Sequence, residues 1–266
     1  MTQEILSFSL PKIGEEEKNI QDRFESSSDG SLIAIADGAG SSLYPRKWAD
    51  ILVKSFCQSS EDPIETIKES YQEWLKPLQE EWRQYYLAKI RAPHRKWWEG
   101  GSQIKDRGSS TFIGLRFQGL QDLEKREWQA VAVGDSCLFK LERKTDNLQV
   151  FPVKNSKSFK RIAKCFESLP EYQSSSPEFE EGWYEDGDIF LLATDALAQW
   201  ILRDYENQSQ EWRKVSCINR HRDFVNFIAQ LRQKDLIEND DTTVAMIKIG
   251  KNIQVSEVDL GNDEPR

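Results

Sequence analysis

The sequence has no apolar run that approaches the ~20 residues a helix needs to cross a bilayer. Its N-terminus also lacks the basic start and the apolar segment of a secretory signal peptide. We therefore expect a cytoplasmic protein without a membrane partner. With 38% hydrophobic residues and nine tryptophans, the 266-residue chain has enough apolar side chains for a sizeable core.

Cysteine and histidine are also scarce, and acidic residues outnumber basic ones. The four cysteines are scattered without a C-x-x-C pair, and the chain has only two histidines. This pattern argues against a disulfide framework and against a zinc site, and it is typical of free thiols in a reducing compartment. A formal net charge of −9 argues against nucleic acid as a partner, because non-specific binding needs a basic surface. An acidic site that holds cations fits this composition better.

Nucleotide-binding signatures are absent as well, since the chain contains neither G-x-G-x-x-G nor G-x-x-x-x-G-K-[ST]. Apolar runs predict at least six strands, which arrive as hairpins more often than as strand–helix–strand units. This order favours an α+β fold of antiparallel sheets with helices packed outside. The predicted strands are Ile5–Leu10, Leu32–Ala36, Phe112–Phe117, Trp128–Val133, Cys137–Glu142, Ile189–Asp195 and Thr242–Ile249.

Apolar side chains that recur every three to four residues predict the helices. A helix over residues 44–58 precedes a long one over residues 63–92, which Pro77 should kink and Pro93 should end or kink. Two further helices are expected from Ala196 and from Phe224. Residues 148–182 are polar and serine-rich, and we expect there a long surface excursion, with a short helix at 158–166, that acts as a lid over a site.

The stretch from Ile33 to Ser42 joins a buried strand to an acid and two glycines. An acid at the end of an apolar strand is costly to bury unless something compensates its charge. A metal ion at Asp37 would do so, whereas the alternative is a plain Asp-Gly turn between a strand and a helix. Gly38 and Gly40 are expected to allow positive φ angles and the close approach of a ligand to the main chain.

The same pattern of an apolar strand, a small residue and an aspartate recurs along the chain. Carboxylates that converge without cysteine or histidine select cations that prefer oxygen, such as Mg²⁺ and Mn²⁺. Two such ions about 3.5–4 Å apart activate a water and clamp a phosphoryl group, so the residues alone suggest metal-assisted phosphoester hydrolysis. The aspartates concerned are Asp22, Asp37, Asp135, Asp195 and the pair Asp240-Asp241.

Five short motifs resemble, in their order, those of the metal-dependent serine/threonine protein phosphatases of type 2C (the PPM family). They span roughly residues 8–249, and the stretch from Asp37 to Ser42 looks like the bacterial branch of that family. The resemblance implies one phosphatase-like domain over residues 1–266, with a polar tail at 250–266, folded as a four-layer αββα sandwich of two antiparallel sheets. The motifs are Ile20-Gln21-Asp22, Ile35-Ala36-Asp37-Gly38, Gly134-Asp135-Ser136, Ala193-Thr194-Asp195 and Asp240-Asp241-Thr242-Thr243-Val244.

The resemblance also implies roles for the residues of these motifs. Asp37 would bridge two Mn²⁺ or Mg²⁺ ions, and the carbonyl of Gly38 would bind one of them. Asp195 and Asp240 would complete the shell of one ion, and together with Asp37 they are the expected catalytic residues. Asp22 would act through a water.

A weaker third metal ion is implied between Asp135 and Asp195. A water that bridges the first two ions would attack phosphorus directly, without a phospho-enzyme intermediate. The implied partner is a phosphorylated protein, which loses phosphate from phosphoserine or phosphothreonine.

Three positions depart from the family pattern. Ala39 stands where many members have a histidine that is proposed to protonate the leaving alkoxide, so a metal-bound water would have to serve. Gln21 replaces the usual glutamate, which keeps an oxygen ligand but removes a charge. The phosphate-binding arginine of the family falls on Glu17, and Lys18 is the nearest cation, a point charge without the bidentate fork of arginine. The weaker candidates for this cation are Lys12 and Arg23.

These departures leave two alternatives to an active protein phosphatase. One is a pseudophosphatase, a binding or scaffold module whose acids keep little metal. The other is a metal-dependent hydrolase of a small phosphorylated compound. The acids at several strand ends favour an enzyme over a scaffold, because they have no structural reason to lie there.

Overall fold

The computed structural model describes residues 3–90, 106–120, 126–159 and 163–250. Within these residues, strands β1–β12, numbered in chain order, form two five-stranded antiparallel sheets and one two-stranded sheet. The first sheet has the order β1 (Gln3–Leu10), β12 (Thr242–Ile249), β11 (Ile189–Ala193), β7 (Cys137–Leu141), β8 (Leu148–Phe151). The second has the order β10 (Glu178–Trp183), β6 (Glu127–Val133), β5 (Phe112–Gln118), β3 (Leu32–Ala36), β2 (Arg23–Ser26). The small sheet pairs β4 (Ser109–Ser110) with β9 (Phe166–Glu167).

Helices cover the outer face of each large sheet. In the described part of the chain, two α-helices pack on the second sheet and three on the first, where their apolar side chains join those of the strands beneath them. The helices on the second sheet are α1 (Pro45–Cys57) and α2 (Pro63–Ile90). The helices on the first sheet are α3 (Asp195–Glu206), α4 (Lys214–Cys217) and α5 (His221–Gln233).

Strand β3 shows how the layers are held together. All five of its residues are buried, and alternate side chains of a strand point to opposite faces. Ile33 and Ile35 join the apolar cluster between the two large sheets, where Phe190 of β11 also lies. Ala34 and Ala36 join the cluster beneath α1 and α2. The strand is therefore apolar throughout because it is covered on both faces, and the predicted four-layer αββα sandwich is confirmed.

Most of the predicted strands and helices are found, but residues 148–182 are not an irregular lid. They contain β8, β9 and most of β10, and β8 and β10 are each an edge strand of one of the two large sheets. Strand β10 is not predicted from the sequence, because nearly all of its residues are exposed and the strand therefore shows no alternation of apolar and polar residues. The predicted helix at 158–166 is wrong in its described part, which ends in β9; residues 160–162 lie outside the description.

The long helix bends at a different residue from the one predicted. Ser70 has non-helical backbone angles (φ −161°, ψ 97°), and Pro77 lies within the helix that follows. The hydroxyl of Ser70 accepts a hydrogen bond from the backbone N–H of Glu73 at 3.3 Å, so it caps this second helical segment. The predicted end or kink at Pro93 and the predicted tail beyond residue 250 lie outside the described residues. No helix among the described residues has both the length and the apolar character needed to span a membrane.

Candidate metal centre

Asp22 and Asp37 lie at the same end of the second sheet. Strands β2 and β3 pair antiparallel with Arg23 opposite Ala36. Asp22 immediately precedes the first of these residues and Asp37 immediately follows the second. The register of the hairpin formed by β2 and β3 thus makes neighbours of two acids that are 15 positions apart in the chain.

The other three aspartates lie at this end of the sandwich as well. Asp135 stands between β6 of the second sheet and β7 of the first, where the chain crosses from one sheet to the other. In the first sheet, β11 pairs with both β7 and β12, and Ala193 is the last paired residue of β11. Asp195 lies two residues after Ala193, and Asp240 lies in the turn that enters β12.

Backbone hydrogen bonds fix the loop that carries Asp37. The backbone carbonyl of Asp37 accepts a hydrogen bond from the backbone N–H of Thr111 at 2.9 Å and another from the hydroxyl of Ser110 at 2.8 Å. Its own N–H donates to the hydroxyl of Thr111 at 3.3 Å, and the N–H of Ala39 donates to the carbonyl of Ser109 at 2.9 Å. The carboxylate of Asp37 is therefore presented from a backbone that neighbouring strands hold in place.

Gly38 is required by packing rather than by its backbone angles. A Cβ at this position would lie 2.7 Å from the carbonyl carbon of Pro45 and 2.8 Å from its oxygen. The expected positive φ is absent at Gly38 and at Gly40 and occurs instead at Gly134, with φ of 107°, in the turn that leads to Asp135. The physical reason is that the first turn of α1 packs against Gly38, which leaves no space for a side chain.

Two carboxylate oxygens in this region are buried without a hydrogen-bond donor. Asp22 is 1% exposed, and its Oδ2 accepts a hydrogen bond from the hydroxyl of Thr194 at 3.1 Å, while its Oδ1 has no partner. Asp135 is also buried, and its Oδ1 has no partner either. A buried acceptor without a donor is costly, and a cation that binds oxygen would compensate both of these atoms.

Burial raises the pKa of the four buried carboxyl groups of the cluster, those of Asp22, Asp37, Asp135 and Asp195, because it disfavours their charged forms. It raises the pKa of Asp135 to about 6 and that of Asp22 to about 7. Burial first, and then the charges of Asp135, Asp22 and Asp240, raises the pKa of Asp195 to about 8. For Asp37, burial and then the charges of all four other aspartates raise the pKa well above its usual value. The five carboxyl groups are thus close enough to repel one another.

These carboxylates are gathered but do not form a closed cage. Within the ranges that the structure describes, no group of three or more His, Cys, Asp or Glu side chains is placed so that it can hold a metal ion. The donor set is nonetheless one of carboxylate oxygens, which suits hard divalent cations. Such an ion would also remove the mutual repulsion that the raised pKa values report. The residues present therefore fit a divalent cation in their chemistry.

Asp240 and Asp241 are adjacent but differ in role. Asp240 is exposed, and its Oδ1 accepts a hydrogen bond from the N–H of Asp241 at 2.8 Å. Asp241 is buried and accepts from the backbone N–H groups of Lys12 at 3.0 Å and Gln21 at 2.8 Å. It thereby ties three chain segments together beside Asp22. Both acids belong to the motif that the sequence predicts, and the structure shows that Asp240 is exposed while Asp241 is held by backbone hydrogen bonds.

Two of the three predicted phosphate-binding cations, Lys18 and Arg23, are engaged in other contacts. The Lys18 side chain is 73% exposed, and its ammonium lies 2.5 Å from the carboxylate of Glu16. Arg23 donates to the backbone carbonyl of Asp22. Arg46, which the sequence does not point to, reaches from α1 and donates to the backbone carbonyl of Lys18. The turn that carries Lys18 therefore has a guanidinium beside it.

The family model described as protein phosphatase 2C matches residues 15–238. No curated protein matches the chain in sequence.

Three solved structures share the fold along almost the whole chain. PppA, described as a key regulatory component of T6SS in Pseudomonas aeruginosa, is 16% identical over 94% of this chain and 99% of its own, with a TM-score of 0.60. The catalytic domain of the serine/threonine protein phosphatase PstP, in complex with two manganese ions, is 13% identical over 93% and 98%, with a TM-score of 0.60. The serine/threonine phosphatase Stp1 from Staphylococcus aureus is 14% identical over 94% and 96%, with a TM-score of 0.59. At these identities the likeness shows the fold, and the α+β assignment is confirmed.

Proposed function

This chain belongs to the protein phosphatase 2C family, and from that membership we propose that its acidic end removes phosphate from phosphoserine and phosphothreonine of a cytoplasmic protein, with two Mn²⁺ or Mg²⁺ ions. The activity of the family is metal-dependent dephosphorylation of proteins. One observation carries the proposal for this chain, which is the convergence of five carboxylates at one end of the sandwich. The five are Asp22, Asp37, Asp135, Asp195 and Asp240.

The proposed ligands follow the positions of these residues. Asp37 would serve both ions, and the backbone carbonyl of Gly38 would bind one of them. Asp195 and Asp240 would complete the shell of one ion. Asp22 would act through a water. When bound, the ions supply Lewis-acid polarisation of the phosphoryl group and a strong nucleophile at neutral pH. The structure of PstP, whose fold this chain shares, contains two manganese ions, which supports the proposal of two metal ions here.

A weaker third ion is proposed at Asp135, with Asp195 as the shared ligand. The buried Oδ1 of Asp135, which has no hydrogen-bond donor, supports this placement. Because a carboxylate binds a metal ion only when it has lost its proton, the raised pKa values of Asp135 and Asp195 mean that metal binding releases protons from the site.

Neighbouring residues orient the proposed metal ligands, and one position of the site limits where a proton can come from. Asp37 presents its carboxylate from a backbone that Ser110 and Thr111 hold. The hydroxyl of Thr194 orients Asp22. Ala39 has no group that can carry a proton, so the proton that the leaving serine or threonine oxygen needs comes from water rather than from this position.

We place the phosphate-binding cation at the turn that carries Lys18. Arg46 has the planar fork that suits bidentate binding of a phosphate oxygen pair, and it is held at this turn by the carbonyl of Lys18. Because the ammonium of Lys18 is paired with Glu16, we give Arg46 the main part in phosphate binding and Lys18 a minor one.

Hydrolysis of an aryl phosphate with Mn²⁺ tests whether the chain is an enzyme. We expect manganese-dependent turnover that Asp37→Asn removes. Turnover that is absent from the folded, metal-bound protein would instead identify a pseudophosphatase. A comparison of a phosphothreonine peptide with small phosphorylated compounds then separates a protein phosphatase from a hydrolase of metabolites, and we expect the higher kcat/KM with the peptide.

A further inference from the structure

The proposed ligand Asp240 lies on an exposed turn, where side-chain packing does little to fix it. The turn connects α5 to β12, and Asp240 itself is exposed. The hydrogen bond from the N–H of Asp241 orients its carboxylate only relative to its own turn. A metal ligand must be held within about half an ångström of its working position, so the turn needs an anchor on the body of the protein.

Arg232, near the end of α5, contacts this turn and the chain on either side of it. Its Nη2 donates to the backbone carbonyl of Asp240 at 2.5 Å and to the hydroxyl of Thr242 at 3.2 Å. Its Nη1 donates to the backbone carbonyl of Pro11 at 2.8 Å. One guanidinium thus joins helix α5, the turn that carries Asp240, the first residue of β12 and the segment that follows β1.

The surroundings of Arg232 show that this contact is built into the protein. The side chain is partly buried, and its Nε is buried without a hydrogen-bond partner. Burial lowers the pKa of the guanidinium, and the charges of Asp241 and Asp240 act in the opposite direction. An arginine stays protonated under these conditions, so it is a permanent cation beside two acids of the site.

We propose that Arg232 is a positioning residue for the metal centre, which holds the backbone of Asp240 so that its carboxylate completes the shell of the ion. Its side chain contacts neither substrate nor metal in this scheme and acts through the carbonyl of Asp240. The proposal rests on the proposed function, because it needs Asp240 to be a metal ligand. The planar guanidinium serves three acceptors on two chain segments at once, which the single ammonium of lysine reproduces only in part.

The test is a double-mutant cycle on the affinity for Mn²⁺, measured by titration calorimetry on the whole folded chain without substrate. We expect Arg232→Gln to weaken manganese binding roughly 10–100-fold, the range seen when a supporting group around a metal ligand is removed. Arg232→Lys should lose less, and Arg222→Gln, on an exposed side chain of the same helix, should bind as the unmodified protein does. In a background of Asp240→Asn, Arg232→Gln should cause no further loss.

The outcomes separate the assignment of Asp240 as a metal ligand from the positioning role of Arg232. If Asp240→Asn leaves manganese affinity unchanged, the ligand assignment fails and the positioning role fails with it. If Asp240→Asn weakens binding but Arg232→Gln does not, or if Arg232→Gln weakens it equally in both backgrounds, only the role of Arg232 is overturned. Thermal unfolding of the metal-free variants shows whether each is folded, and if Arg232→Gln does not fold, the same cycle is measured with Arg232→Lys.

Discussion

The hydroxyl of Thr194 donates a hydrogen bond to Oδ2 of Asp22 at 3.1 Å, although the two residues are 172 positions apart in the sequence. Thr194 follows a strand of the first sheet, and Asp22 precedes a strand of the second. The same hydroxyl accepts a hydrogen bond from the N–H of Thr243 at 2.9 Å. One buried side chain therefore joins the two sheets at the candidate metal centre and orients an acid whose other oxygen has no partner.

Replacement of Thr194 by valine should destabilise the protein by about 1–3 kcal/mol, because it leaves both a buried carboxylate oxygen and a buried N–H without a partner. Urea unfolding of the metal-free protein measures this change. Thr194→Ser keeps the hydroxyl and is the matched control, for which a much smaller loss is expected. Equal losses in the two variants would show that the methyl group, and not the hydroxyl, is what matters.

The stability of the metal-free protein should fall as the pH rises from about 5 to about 8.5. A carboxyl group whose pKa is higher in the folded protein than in the unfolded chain stabilises the fold while it is protonated. That contribution is complete below the ordinary value of 3.8 and is lost as the pH rises through the folded value, which is about 8 for Asp195 and about 7 for Asp22.

Unfolding in the presence of EDTA at the two pH values measures this dependence. Asp195→Asn carries no titrating group at that position, so the difference in unfolding free energy between the two pH values should be smaller in this variant. A variant with an unchanged difference would remove Asp195 as a source of the effect.

Gly38→Ala should weaken manganese binding by at least about tenfold, because the added Cβ would lie 2.7 Å from the backbone of Pro45 and would push the loop that carries Asp37 out of place. Gly40→Ala is the matched control. Its Cβ would meet only the flexible end of the Gln21 side chain, at 3.2 Å. Calorimetric titration with Mn²⁺ compares the two variants, and equal affinities would show that the loop tolerates the added methyl group.

Arg46→Gln should raise the KM for a phosphothreonine peptide more than Lys18→Gln does, with kcat changed less than KM in both variants. The guanidinium can bind two phosphate oxygens, whereas the ammonium of Lys18 is shared with Glu16. Initial-rate kinetics at saturating manganese separates the two constants. A larger effect at Lys18 would restore the assignment made from the sequence.

Much of the fold is predictable from residues that lie on the sandwich interior. Strand β3 is recognisable because both of its faces are buried, so that every residue is apolar. Strand β10 is not, because it is an exposed edge whose glutamates and glycine resemble those of a loop. Ser70, which bends the long helix, is one serine among many, and its capping contact forms only in the folded chain.

The residues of the candidate site also differ in whether the sequence predicts them. The sequence predicts the aspartates that follow apolar strands as site residues, because a carboxylate at such a position is costly to bury unless a partner compensates its charge. No sequence pattern predicts Arg232 or Arg46, since each donates to a backbone carbonyl that only the fold brings near, that of Pro11 for Arg232 and that of Lys18 for Arg46. The sequence indicates that Gly38 is needed for its backbone, but the actual reason is its contact with Pro45, which depends on how α1 packs.

Manganese-dependent release of phosphate from a phosphothreonine peptide, by the unmodified protein and by Asp37→Asn, tests the central claim most directly. The account predicts that EDTA abolishes release by the unmodified protein, that added Mn²⁺ restores it, and that Asp37→Asn lowers kcat/KM by more than about 100-fold while the variant stays folded. Release that does not depend on the metal, or that proceeds equally well in Asp37→Asn, would contradict it.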